Sequence, residues 1–300
     1  MDNRADVREF LTSRRARISP ESVGLPVGSN RRVAGLRRSE VATLAGVSIE
    51  YYTRLERGAI SGASPEVLDS LARALRLDDA ERAHLFDLAH AASPVARPPK
   101  RRSAGSWAPH PSLQWVLDAV TSGPAFVRNG RMDLIAVNAL ARAFYKDAYD
   151  MPGEPPNLAR FTFLDERGRD FHPEWDTAAD VVVSILRTEA GRDPHNKELH
   201  ELVGELSTRS QEFRRRWSSH NVRHHGTGFK TFHHPVVGEI TVAYEGLEMA
   251  AEPGLTLTIY TAEPGSPSEE AMRLLASWAA TEQTQLRDRG KQDAGKQPAG

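Results

Sequence analysis

The sequence predicts two domains: an all-α helix-turn-helix domain, then an α+β domain built on an antiparallel sheet. Three observations carry this reading. Residues 4–92 place apolar side chains at helical spacing and show no strand alternation. Residues 93–108, SPVARPPKRRSAGSWA, are rich in Pro, Ser and basic residues, which is linker composition. From 109 to 280, helical stretches are mixed with short strand-like runs. The expected layout is a helical domain over 1–92, a linker over 93–108, a mixed domain over 109–280 and a polar, disordered tail over 281–300.

In the helical part, Val7, Phe10 and Leu11 share one face of a first helix, and Val41, Leu44 and Ala45 recur at i, i+3 and i+4 in the next. The run LRRSEVATLAGVSIEYYTRLERG, residues 36–58, holds two short helices, about Ser39–Leu44 and Ile49–Arg57. Gly46 supplies the tight turn, Ser48 caps the second helix and Gly58 stops it. Ser64 with Pro65 marks another start, with Leu68, Leu71 and Leu75 on one face. Asp78 or Asp79 opens a further helix, with Leu85 and Leu88 inward.

In the mixed part, Pro111–Val120 reads as a helix. PAFVRNGRMDLIAVN reads as two strands around a turn at Asn129-Gly130. Asn138–Tyr145, Ala178–Glu189 and Asn196–Phe213 read as helices, the last two inserted between strand pairs. FKTFHHP, GEITVAYEGLEM and LTLTIYTAEP read as three strands. Ser268–Ala280 forms a final amphipathic helix. Its face with Met272, Leu275 and Trp278 suits either its own domain or a dimer partner.

Composition bounds the function. The chain of 300 residues carries 39 Lys plus Arg against 40 Asp plus Glu, so its net charge of -1 argues for neither nucleic acid nor an anionic membrane. Residues 1–60 differ locally: eleven Arg and no Lys stand against seven acidic residues, a surplus of four. The absence of cysteine excludes disulfides and thiolate metal sites and suits a reducing interior. No apolar run approaches the roughly 20 residues of a membrane span, and MDNRADVREF has no signal-peptide core. A cytoplasmic, non-membrane protein is expected. G-x-S-x-G, H-E-x-x-H, a phosphate loop and a Gly-rich dinucleotide fingerprint are all missing, so no enzyme activity and no cofactor is indicated.

The two short helices raise the question of what their exposed side chains do. Tyr52 and Leu55 are three apart and face inward with Val47, leaving Ser48, Ile49, Glu50, Thr53 and Arg54 outward. A helix fits the DNA major groove. Arg there pairs with guanine, Glu accepts from cytosine and Ile packs on a thymine methyl. Arg37, Arg38 and Arg57 flank the pair and suit phosphates. Thr43 and Tyr51 complete the DNA set. Arg31 and Arg32, in the preceding loop, either reach the backbone or minor groove or are simply solvated. The alternative for the whole unit is a helical hairpin inside a bundle. Because one helix reads only a few base pairs, a homodimer on a palindromic operator is the expected arrangement on double-stranded DNA.

The wording adds to this. SEVATLAGVSIEYYTRLERG closely resembles the Xre-type helix-turn-helix of phage and bacterial repressors. LTSRRARISPESVGLP, RRVAGLRRSEVATLAGVSIEYYTRLERG, FRRRWSSHNVRHHGTGFKTFHHPVVGEITVAYEGL and LTIYTAEPGSPSEEAMRLLASWA together resemble the MmyB-like transcription regulators, over nearly the whole chain to about residue 280. The resemblance implies an Xre (lambda-repressor-like) domain followed by a PAS-like ligand-binding domain. It also implies a regulator whose DNA binding is altered by a small, largely apolar, fatty-acid-like ligand. One departure is the long Gly-, Pro- and Ser-rich connection ISPESVGLPVGSNRRVAG, where plain Xre domains have a short one.

A PAS-like shell would enclose a modest apolar cavity. Phe126, Phe144, Trp217, Phe232 and Tyr244 are candidate walls; the alternative for each is plain core. Arg214 is a candidate for a carboxylate, and Asn138 either fixes a polar group or caps the next helix. His220 belongs to a histidine cluster with His224, His225, His233 and His234. That spacing matches no zinc motif, and adjacent strand residues point to opposite faces, so a pocket wall is favoured over a metal site. The competing reading of the second domain is a dimerisation or protein-interaction module.

Overall fold

The computed structural model describes residues 3–26, 31, 33, 35–92, 110–153, 155–218 and 227–294, with side chains to 281. The chain forms two compact units. The first joins the residues up to Ala92 with Asp180–Ser218. The second joins His110–Ala179 with the residues from Thr227 onward.

The first unit begins with α1 (Asn3–Arg17), α2 (Arg38–Ala45), α3 (Ile49–Glu56), α4 (Pro65–Ala74) and α5 (Asp79–Ala91). Local chemistry sets the boundaries. Ser48, Ser64 and Asp78 each accept a hydrogen bond from a first-turn amide, of Tyr51, Val67 and Glu81 respectively. Gly46 closes α2 with φ of 66°, a left-handed conformation that side chains with a Cβ resist. Val7, Phe10, Leu11, Val41, Tyr52, Leu55, Leu68, Leu71, Leu85 and Leu88 form one buried cluster. Leu44 departs from expectation: it is exposed, because Val41 and Ala45 already fill the inward face of this two-turn helix.

The rest of the first unit is helical: most of α11 (Trp175–Arg192), then α12 (Lys197–Arg209) and α13 (Gln211–Ser218). α11 lies close against α5. A Cβ on Gly191 would stand 2.7 Å from the His84 ring, and Arg192 pairs with Asp87 at 3.3 Å. The single helix expected over Asn196–Phe213 is two, broken where Ser210 adopts an extended backbone and its hydroxyl accepts from the Phe213 amide.

The second unit contains α6 (Pro111–Ala119), β1 (Ala125–Asn129), β2 (Leu134–Val137), α7 (Ala139–Phe144), α8 (Lys146–Tyr149), α9 (Leu158–Leu164), α10 (Glu166–Phe171), β3 (Thr227–His234), β4 (Gly238–Glu248), β5 (Leu255–Thr261) and α14 (Pro267–Ala294). The strands make one antiparallel sheet in the order β2-β1-β5-β4-β3, with helices inserted between β2 and β3. This is the expected PAS-like α+β arrangement. Period-two alternation gives the sheet two faces. Phe126, Phe232, Val242, Tyr244 and Tyr260 lie on the inner one. Ala125, Val127, Leu257 and Ile259 lie on the outer one, where Leu113 and Leu117 of α6 and Val120 just after it pack on them. The final helix does not stop at Ala280. Glu282, Gln283, Gln285, Leu286 and Arg287 are all good helix formers, and it runs on to Ala294.

Candidate DNA-reading helix and ligand-facing sheet

α3 is amphipathic over barely two turns. Tyr52 and Leu55 are buried, while Ile49 keeps 47% of its surface exposed. Ile49, Glu50, Thr53, Arg54 and Arg57 line one groove, joined by Arg4 of α1 and by Ala59. Arg4 escaped the sequence reading because it lies 45 residues from Ile49 in the chain. The link is Gly58, whose φ of 93° and missing Cβ let the start of α1 approach: a Cβ there would stand 2.5 Å from the Arg4 carbonyl oxygen. Arg54 is held in place, its guanidinium 4.9 Å from the centre of the Tyr51 ring. Tyr51 is itself half-buried against the core and so braces Arg54. Ser48 is spent on its cap, and the Thr43 hydroxyl donates to the Ser39 carbonyl at 2.9 Å.

The flanking arginines divide into two groups. Arg37 and Arg57 are exposed. Arg38 is half-exposed but donates through Nε to Glu56, a carboxylate only 1% exposed. The same carboxylate accepts from Arg15 Nε at 2.6 Å and from the Tyr52 hydroxyl at 3.3 Å, tying α1, α2 and α3 together. Arg31 is neither a solvated arginine nor an outward one. It grips Glu40 with both terminal nitrogens, at 2.9 and 2.6 Å, and donates to the Gly35 carbonyl. That bond is the main reason the Glu40 carboxyl sits below its ordinary range; the amide of Arg37, at 2.5 Å, adds to it. Arg32 lies outside the described residues.

On the inner sheet face, the candidate rings are packed together. Phe144 touches Tyr145, Phe171, Phe232, His234 and Tyr260 at centroid distances of 5.0 to 5.8 Å, and Phe126 meets Tyr145 and Tyr260. The Tyr145 and Tyr260 hydroxyls bond each other at 2.8 Å, and burial pushes Tyr260 up to about 12. Asn138 is a cap and more. Its Oδ1 accepts from the amides of Ala141 and Ala125, and its Nδ2 donates to the carbonyls of Val120 and Gly123. Both donors and both acceptor positions are used, which leaves none for a ligand.

Arg214 and Trp217 belong to the first unit, and the other described ligand candidates belong to the second. Arg214 is exposed. Trp217 stacks on Phe213 and lies 4.2 Å beneath the buried Arg187 guanidinium, which also donates to its carbonyl. His220 lies outside the described residues, as do His224 and His225. His233 is exposed beside Glu239. His234 is buried and neutral in character, with Nε2 toward the Ala143 carbonyl and Nδ1 accepting from the Val236 amide, so adjacent histidines do take opposite faces. Two inner-face cations went unnoticed in the sequence, Arg128 and Lys230. Counting back by two from Phe232 finds Lys230.

The chain matches the family model of the MmyB-like transcription regulator ligand binding domain over residues 109–275 and that of a helix-turn-helix domain over residues 9–85. The chain belongs to the MmyB-like transcription regulators. No curated protein matches it. This MmyB-like chain is a DNA-binding transcription regulator with a ligand-binding domain, and its N-terminal domain is of the expected helix-turn-helix class. No described helix is long and apolar enough to cross a membrane.

Proposed function

We propose that α3 of this regulator reads DNA sequence in the major groove, and that a small, largely apolar ligand on the inner sheet face alters that reading. The observation that carries the first half is the groove in which Ile49, Glu50, Thr53, Arg54 and Arg57 meet Arg4. It offers three guanidinium groups, one carboxylate and an exposed aliphatic side chain on a helix narrow enough for the major groove. The ring-lined inner face supports the second half. A fatty-acid-like molecule fits its apolar character.

The reading entails a homodimer on a palindromic operator, since one two-turn helix spans few base pairs. The Met272 and Leu275 face of the final helix is not its interface in this reading, because both are buried in their own unit. An interaction role for the second domain has an observation of its own: Trp115 is 70% and Phe229 76% exposed. Sedimentation of wild type and of Phe229→Ser separates the two.

The test of α3 is selection of genomic fragments, followed by titration of the preferred site and of random DNA at several salt concentrations. Arg54→Ala should lose about 1–3 kcal/mol on the preferred site and little on random DNA. Arg57→Ala should weaken both alike and flatten the salt slope by about one unit. An unchanged ratio of preferred to random binding in Arg54→Ala sinks the groove assignment.

A further inference from the structure

Residues 36–58 carry three carboxylates, Glu40, Glu50 and Glu56. Two of them serve inside the unit: Glu40 takes Arg31, and the buried Glu56 takes Arg15 and Arg38. Glu50 is exposed and, among the described residues, has neither an ion pair nor a hydrogen bond. The usual partner of a helical glutamate is a cation four positions on, and Arg54 stands there. Its guanidinium lies instead over the Tyr51 ring, 4.9 Å from the centre. Nor is the carboxylate needed to start the helix, since the Ser48 hydroxyl accepts from the Tyr51 amide at 3.1 Å. Glu50 is the one acid among the described residues that line the groove, where the charged side chains besides it are Arg4, Arg54 and Arg57.

A carboxylate on a DNA-facing surface is repelled by phosphate, so it costs affinity on every sequence. That cost is offset only where a base edge donates to it. In the major groove the donors are the amino groups of cytosine and adenine. Adenine sets its N7 acceptor beside the amino group, where it would oppose the second carboxylate oxygen; the edge of cytosine carries no acceptor of its own there. We propose that Glu50 selects cytosine in each operator half-site and weakens binding to DNA that lacks it. This deepens the reading of α3 as the base-reading helix and rests on it. It assigns part of the regulator's discrimination to repulsion, while the guanidinium groups of the same groove supply attraction.

Binding-site selection from a randomised duplex library tests it, with full-length wild type, Glu50→Gln and Glu50→Ala. At one position of each half-site, wild type should favour cytosine over adenine by about tenfold. A glutamine amide offers an acceptor for adenine N6 and a donor for N7, so Glu50→Gln should favour adenine there by a similar factor. Glu50→Ala should favour neither, and both variants should bind random DNA more tightly than wild type. Thermal melts check that both variants fold. A first-turn acid that merely steadies α3 would move the melt and leave the base profile alone. The same base profile in wild type and Glu50→Gln, or no cytosine preference in wild type at the position the variants alter, overturns the proposal. Arg54→Ala, run alongside, separates it from the broader reading. If Arg54→Ala flattens the profile and Glu50→Gln leaves it unaltered, α3 still reads DNA and Glu50 takes no part. If neither variant changes the profile, or wild type selects no site, both fall.

Discussion

Replacing Glu56 with glutamine isolates the charge of one buried carboxylate while keeping its shape. Glu56 is 1% exposed and receives Arg15, Arg38 and the Tyr52 hydroxyl. A hydrogen bond to a charged group contributes about 1.5–3 kcal/mol. The Arg15 side chain is 12% exposed, so its bond counts nearly in full. The Arg38 side chain is 49% exposed, so solvent discounts most of its share. The glutamine amide would also turn a donor toward one of two guanidinium groups. The expected loss is about 2–4 kcal/mol, within the range for breaking a buried pair from one side. Urea denaturation of the full chain, followed by far-ultraviolet circular dichroism, reads it as a fall in the midpoint of the helix-rich transition. Arg38→Ala should cost less than half as much. A loss below about 0.5 kcal/mol in Glu56→Gln, the level of an ordinary surface change, would refute the view that this carboxylate holds the three helices together.

Asn138→Ala removes a helix cap and strips the buried amide of Ala125 of a side-chain acceptor, so the second unit should lose about 2–4 kcal/mol in the same assay; a loss confined to a few tenths would show the four bonds to be dispensable. His172 predicts a pH dependence. Burial, helped by the charge on Lys230, lowers it to about 4, against about 6.5 in an unfolded chain, so the unfolded state binds the extra proton between those values. Stability should therefore fall as pH drops from about 6.5 to 4, by up to roughly 3 kcal/mol. His172→Gln should remove that part of the slope, and identical slopes in the two proteins would contradict the burial of a neutral ring.

Much of the helix-turn-helix was legible because its determinants are local. Gly46, Ser48, Ser64 and Asp78 act within one turn of themselves, and the structure puts the boundaries within a residue or two of where those residues imply. The strands were legible from alternation. The side-chain partnerships were not, because they span distance. Arg15 meets Glu56 across 41 positions, and no short pattern marks that pair. Arg31 reads in sequence as one more basic loop residue, and its grip on Glu40 spans nine positions across the connection. Arg38, which the sequence offers as a phosphate contact, keeps half of its surface exposed and also donates to the buried Glu56, a pairing no local pattern marks. The short helices α8, α9 and α10 carry too few turns for a period to emerge. Lys230 can be placed on a face by counting, but its surroundings among the described residues depend on β1, β4 and β5 arriving in register.

The two carboxylates of the α2–α3 pair bear on protein engineering. Glu40 is satisfied by Arg31 from the connecting segment, and Glu56 by Arg15 from α1. Residues 36–58, which by pattern alone look like a self-contained reading head, lack both Arg31 and Arg15. Grafted onto a new scaffold, that segment would leave Glu40 without Arg31, and the buried Glu56 with only the half-exposed Arg38 in place of the Arg15–Arg38 pair. The smallest portable cassette therefore starts at α1, and a shuffled or chimeric regulator should cross over before Asn3 or after Glu56, not within the connection between them.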